Sequence, residues 1–465
     1  MTSGPRRPGT RVAPIDRSRL PAPGPTAQVR FPAIRKSVLP NGLRVWTVRH
    51  ASIPVVTLTL LVRRGAADDP SGKEGLAALT ADMLDEGSGD RSAIEMHEAL
   101  ARIGAQLDSD IGPDSIVLSV SAISRFAEPA LALVADMTAR PSLSLADFER
   151  VRQLRLHRLT QLRDMPGVVA DRTFARLLYG AHPYGHTPLG SEPALVSMDI
   201  DDVRAFHAAM VRPSAATLIL AGDCDHDQLC RLAETCFGGW VGEAAALAPS
   251  TGDLPKPPRL NVVPRPGAPQ SELRIGHVGA PRDTPDYHAL VTANMVLGGQ
   301  FVSRINLNLR EEKGVTYGAR TSFDFRRLPG PFALQVSVET ASTAEAIHES
   351  LDEIADIRGR RPVTPDELAL GVAALTRGYA RNFETAEQVA RAVMQIALYD
   401  LPDTWFDEFV SRIEHVSLEE VTAAAARHLD PDRLTTLIVG DFEAIAHDLD
   451  ALGLGEPVAL AAGSF

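Results

Sequence analysis

Residues 196–223 read VSMDIDDVRAFHAAMVRPSAATLILAGD, and residues 416–441 read VSLEEVTAAAARHLDPDRLTTLIVGD. Both run from a helical pattern through a Pro-containing turn into a Thr-Leu-Ile strand that closes on Gly-Asp. Gly222 and Gly440 lie 218 residues apart, far beyond the repeat length of a solenoid. The pair therefore marks a duplicated unit rather than an array. Around each copy, runs of strands are separated by runs of helices, which favours α+β over strictly alternating α/β.

Working outward, Leu39-Pro40-Asn41-Gly42-Leu43 reads as a turn. Arg44 to Arg49 and Val55 to Val62 read as strands, the second rich in β-branched residues. Gly75 to Leu84 has helical composition. Ser92 and Glu95 form a capping box that opens a helix with Met96, Leu100 and Ile103 on one face, stopped at Gly104. Ser115 to Ile123 alternates apolar and polar residues, the pattern of a half-buried strand. Helices are expected near 126–138, 145–163, 169–178 and 200–210, then a strand from Ala215 to Leu220. At 244–260 an Ala-rich stretch gives way to Pro255-Lys256-Pro257-Pro258, where three prolines in four residues prevent regular structure. The reading is a basic, Pro-rich disordered tail at 1–36, a domain at 37–243, a linker at 244–260 and a second domain at 261–465.

Composition excludes several classes. The chain has 465 residues, 45% of them apolar and 23% charged, ordinary values for a soluble globular protein. No run approaches the roughly 18 apolar residues that span a bilayer. Cys224, Cys230 and Cys236 are too few for a disulfide scaffold and lack metal-knuckle spacing. The net charge of −12 argues against non-specific binding to nucleic acid. Residues 1–36 carry +7, with seven Arg and Lys36 against Asp16, so the remainder carries −19. Seven prolines in that stretch oppose the amphipathic helix of a targeting peptide, and it has no apolar block for a secretory signal. The expected location is cytoplasmic.

Four segments carry a family resemblance: LPNGLRV (39–45), GLAALTADML (75–84), HPYGHTPLG (182–190) and LGGQFVSRINLNLREEKGVTYGA (297–319). Together, and in this order, they closely resemble the M16 (pitrilysin/insulinase-type) zinc peptidases, and among these the M16B-like subunits of two domains. The resemblance covers about 37 to 445. It implies two homologous α/β-sandwich domains forming half of a clam-shell. In active members the helix after Gly-Leu-Ala carries His-x-x-Glu-His. Two His at i and i+4 share a helix face and bind Zn²⁺, and the Glu activates the metal-bound water. The matching positions here are Ala78, Ala81 and Asp82, and the family's third ligand, a Glu on a later helix, falls at Arg158, to within one position. One carboxylate beside a cation cannot make a three-ligand catalytic zinc site. No metal and no catalytic residue are therefore expected in this chain alone. Asp82 and Arg158 are expected to pair across the vacated site, or else each to face solvent.

The resemblance also implies that Arg310 and Tyr317, seven residues apart, bind the substrate backbone near the scissile carbonyl. A fixed cation and a phenol suit a carbonyl and its developing oxyanion. The competing reading is a surface-paired Arg310 and a core Tyr317. Gly298-Gly299 lacks the Lys-Ser/Thr of a phosphate loop and reads as a turn. His182 and His186 are separated by helix breakers and read as loop residues.

These expectations combine into one reading: a zinc-free, inactive subunit of a heteromeric M16B-type metallopeptidase. It would supply Arg310, Tyr317 and chamber wall to a zinc-bearing homologous partner in a heterodimer that cleaves peptides. The alternative is a purely structural or peptide-binding subunit with no catalytic partner. No Ser/His/Asp or Cys/His signature supports a separate hydrolytic mechanism.

Overall fold

Two six-stranded sheets carry the fold. The computed structural model describes Gly24 and residues 29–246 and 254–461. Most of the expected tail and the centre of the expected linker lie outside the described residues. The first sheet contains β1 (Ile34–Val38), β2 (Arg44–Arg49), β3 (Val55–Val62), β4 (Gln106–Ile111), β5 (Ile116–Ile123) and β6 (Ala216–Gly222). Their order is β1-β2-β6-β3-β5-β4. The second contains β7 (Leu260–Pro264), β8 (Gln270–Val278), β9 (Ala319–Phe323), β10 (Pro331–Glu339), β11 (Thr435–Gly440) and β12 (Val458–Ala459). Read from its opposite edge, its order is β12-β7-β11-β8-β10-β9.

Position by position, the two orders are the same. Each sheet has one parallel pair in its interior, β2 with β6 and β7 with β11, and the strands beyond it are antiparallel. The duplicated segments supply equivalent strands, β6 and β11. Only the outer edge differs. It is filled by the first described strand, β1, antiparallel to β2, in one sheet, and by the last described strand, β12, parallel to β7, in the other.

The helices needed below are α1 (Leu76–Asp82), α2 (Leu145–Leu162), α3 (Pro166–Tyr179), α4 (Ile200–Met210), α5 (Ala386–Tyr399) and α6 (Leu418–His428). α4 opens on the Asp199 cap, with Asp202 completing a capping box, and α6 opens on Ser417 with Glu420. Both satisfy backbone N–H groups that a helix start leaves unpaired.

One face of each sheet is covered by helices from its own half. In the first, Leu58, Leu60, Leu118 and Leu220 pack with Leu79, Leu131 and Val134. The other faces are covered by exchange. Trp46, Val48, Leu61 and Ile219 of the first sheet bury against Val389, Val393 and Ile396 of α5, from the second half. Val263, Leu437 and Val439 of the second sheet bury against Ala170, Phe174 and Leu178 of α3, from the first half. Burial on both faces explains why the inner strands are nearly continuous apolar runs. The polar side of β5 turns out to lie within the sheet: the Ser119 and Ser121 hydroxyls hydrogen-bond Thr59 and Thr57 across the strand pair.

Ordered chain begins before the tail boundary suggested by composition. Phe31 is buried with its ring 5.2 Å from those of Phe383 and Phe406, and its N–H donates to Asp407. Ile34 to Lys36 then enter β1. A single buried aromatic within a Pro/Arg-rich stretch is enough to anchor it. A second tie crosses between the halves lower down. The Tyr184 hydroxyl donates to Asp114 at 2.8 Å and accepts from the Leu328 N–H, while the Arg327 N–H donates to the same carboxylate. This is the structural use of the 182–190 loop, whose His182 and His186 sit in turns as expected.

Candidate functional site

The first site builds from α1. Gly75 precedes the helix at φ +100°, and a side chain there would meet the backbone of Gly190, so glycine is required. Asp69 accepts hydrogen bonds from the N–H groups of Gly75 and Ala77 at 2.7 and 2.6 Å, fixing the start of the helix. Burial pushes its carboxyl up to about 7, against the pull of those two bonds. His186 approaches it at 3.8 Å, its imidazole pushed down by burial.

At the zinc-motif positions, Ala78 and Ala81 are 3% and 1% exposed. They are packed methyl groups, not residues facing an open cleft. Asp82 does bind a guanidinium, but it belongs to Arg155. Arg155 Nη1 donates to Asp82 Oδ2 at 2.5 Å, and its Nη2 donates to the Pro188 carbonyl at 2.8 Å. The expected Asp82–Arg158 pair is corrected accordingly. On α2 the inward face carries Phe148, Val151, Leu159 and Leu162, all buried. Arg155 lies on that face one turn from Val151 and Leu159, whereas Arg158 is exposed and makes no ion pair among the described residues. The signal was available: Arg155 is the one charged residue in an apolar series at helical spacing.

Zinc, which the resemblance would bring to this face, does not fit the residues present. Two of the motif positions are methyl groups, the third, Asp82, is already bound by the Arg155 guanidinium, and among the described residues no three His, Cys, Asp or Glu side chains gather as a metal would need. Cys224, Cys230 and Cys236 are half-buried free thiols, Cys230 lying 3.5 Å from His226 Nε2.

The second site lies in the 297–319 segment. Gly298 ends the preceding helix where Thr321 approaches closely enough to exclude a side chain, so the Gly-Gly pair is a turn. The next residues are tied down at both ends. Arg304 is buried and grips Glu367 with two nitrogens at 2.7 Å, while its other donors reach the Arg361 and Pro362 carbonyls. Asn306 bonds both backbone groups of Ala319. Burial alone would raise the Glu367 carboxyl, but hydrogen bonds from Arg304 and Thr364 hold it down at about 2.

Between these anchors, Arg310 sits in a wide π turn (Leu307–Glu312). Its guanidinium stacks 3.2 Å from the Phe301 ring centre and donates to Glu311 at 2.8 Å and to the Phe301 carbonyl at 3.3 Å. Tyr317 follows in the loop before β9 and is 96% exposed, with no hydrogen bond or ring contact among the described residues. The structure thus excludes a core role for Tyr317. It leaves Arg310 partnered and the two side chains out of contact with one another. Phe301 and the Arg304–Glu367 anchor had no distinguishing mark in the sequence.

Comparison with known proteins decides the lineage. The profile described as insulinase (peptidase family M16) matches residues 44–187, and that described as the peptidase M16 inactive domain matches residues 197–375. Together they take in more than half of the chain. The protein belongs to the M16 family. Among relatives, an uncharacterized zinc protease of Mycobacterium tuberculosis is 24% identical over 90% of this M16 chain and 96% of its own length. The uncharacterized zinc protease YmxG of Bacillus subtilis is 21% identical over 87% and 98%. A probable mitochondrial-processing peptidase β subunit of Schizosaccharomyces pombe is 24% identical over 58% and 60%. Of solved structures, a peptidase M16 inactive domain from Pseudomonas fluorescens superposes with a TM-score of 0.82 at 23% identity, covering 88% of this chain and 98% of that one. A protease from Helicobacter pylori gives 0.82 at 18%, covering 88% and 100%. The M16 fold is therefore shared. No described helix is long and apolar enough to cross a membrane.

Proposed function

We propose that this M16 chain is a zinc-free, catalytically inactive subunit of a heteromeric M16B-type metallopeptidase of the cytoplasm. It lends Arg310, Tyr317 and one half of a clam-shell wall to a zinc-bearing homologue that cleaves peptides. The observation that carries this is the contrast between the two sites. The metal face is closed by Arg155 on Asp82, while Tyr317 projects almost wholly into solvent with no partner among the described residues. An exposed phenol on an anchored loop can donate a hydrogen bond to a peptide carbonyl. Arg310 can do the same on leaving Phe301. Donors placed where charge develops accelerate acyl chemistry carried out by a partner's metal.

A second reading, a structural or peptide-binding subunit without a catalytic partner, is favoured by one feature. Arg310 is already engaged by Glu311 and Phe301. The test is co-expression with a zinc-bearing homologue, isolation of the complex and peptidase assay of each chain alone and together. Activity should need both chains, and Arg310→Ala should lower it about 100-fold with assembly and zinc content unchanged. Full activity in that variant, within an assembled complex, would leave only the structural reading. Stoichiometric zinc in this chain alone would defeat both.

A further inference from the structure

Where the two halves meet, a cavity of about 440 Å³ is lined by four arginines: Arg44, Arg63, Arg64 and Arg327. Arg44 opens β2, Arg63 and Arg64 follow β3, and Arg327 comes from the loop before β10. The cavity therefore spans the junction beside the Asp114–Tyr184 tie. Four guanidinium groups in one cavity repel, and none can relieve this by losing its proton. Three of them have partners. Arg63 makes a two-pronged bond to Asp400 at 2.9 and 2.6 Å. Arg64 donates to the carbonyls of Arg63 and Ala245 and lies 3.9 Å from buried Asp68. Arg327 lies 3.5 Å from Asp114.

Arg44 is different. Among the described residues its side chain makes no hydrogen bond and no ion pair. The Nε atoms of Arg44, Arg64 and Arg327 are all buried without an acceptor, but Arg64 is held through its other nitrogens and Arg327 lies beside Asp114. Burial and the Arg63 charge both disfavour its cationic form, and Asp400 offsets this only in part. Glu243, at the rim of the cavity, is exposed and pairs with none of the four. A partly buried guanidinium left unpaired is costly, and its planar fork matches two oxygens of a phosphate or carboxylate.

We propose that this cavity is a binding site for a small oxyanion-bearing ligand, whose phosphate or carboxylate group completes Arg44 and bridges the two halves. Its volume is in the range that holds a small metabolite. The site is separate from the α1 face and from Arg310/Tyr317, so it stands whether or not a catalytic partner exists.

The test uses the full chain, titrated with sodium phosphate or sodium succinate against sodium chloride at matched ionic strength, by calorimetry and thermal unfolding. One oxyanion should give a saturable heat and a rise in Tm that chloride does not. A response to phosphate alone marks a phosphate-bearing ligand, and a response to succinate alone marks a carboxylate. Arg44→Gln should weaken binding at least about tenfold. Arg44→Lys, which keeps the charge and loses the fork, should weaken it measurably, and Arg49→Gln on the exposed end of β2 should not. Failure of both oxyanions to saturate, or equal binding by the native chain and the Arg44 variants, overturns the proposal. Should Arg44→Gln fail to fold, Arg44→Lys decides.

Discussion

The two halves of the molecule share a strand order and differ in their chemistry. In the first, Ala78 and Ala81 of α1 are buried methyl groups and Asp82 is tied to Arg155. In the second, Arg310 and Tyr317 lie in a segment held by Arg304–Glu367 and Asn306. The difference teaches where each kind of constraint acts. Alanine at 78 and 81 suits packing, so that face of α1 serves the fold. Tyr317 contributes almost nothing to packing, so folding does not explain its presence.

That comparison can be broken most forcefully at the exchanged helices. Ile396→Ala in α5 and Phe174→Ala in α3 each remove a buried side chain that covers the other half's sheet. Each should cost about 3–4 kcal/mol, read from urea unfolding, and each should leave a single transition. Two separate transitions, or a cost confined to one variant, would mean that the halves stand independently.

A somewhat smaller effect distinguishes the halves by acid. Burial holds His277 in β8 down to about 4, so it is neutral in the fold while the unfolded chain takes up a proton below about 6.5. Its contribution is flat above that value and is lost as pH falls toward 4. His277→Gln should reduce the acid loss between these limits by about 3 kcal/mol, measured from stability curves at several pH values. A native slope unchanged in the variant would show that the acid sensitivity lies elsewhere.

Smaller still is the effect expected at the Asp82–Arg155 pair. Arg155→Ala should cost about 1–2 kcal/mol, since it strands Asp82 and the Pro188 carbonyl, whereas Arg158→Ala should cost less than about 0.5 kcal/mol. Equal costs would return the pairing to Arg158. The smallest effect is expected at the second site, where Tyr317→Ala should change the unfolding free energy by less than about 0.5 kcal/mol. A marked loss would show that the ring packs after all.

Much of the scaffold was legible from pattern alone. β2 and β3 run over Arg44–Arg49 and Val55–Val62 as the β-branched runs indicate, and Ser92 with Glu95 forms the capping box its spacing announces. The duplication declares itself because β6 and β11 occupy the same place in the two sheets. The helix exchange was not legible. The apolar face of α5 shows that it is buried, but periodicity does not say which sheet covers it. The position of the cation opposite Asp82 was missed by one turn because motif spacing was followed where helical phase decides. Phe301 over Arg310 depends on the path of a loop, which local pattern does not carry.

The exchange of α3 and α5 bears on how the chain can be made. The first sheet waits for residues 386–399, so most of the polypeptide must leave the ribosome before its second face is covered. Until then Trp46, Leu61 and Ile219 would remain open to solvent or to a chaperone, since domains ordinarily close as they emerge. A chain cut between residues 246 and 254 would yield two pieces that each lack a helix the other carries. Such pieces should be recovered in soluble form only when they are synthesised together.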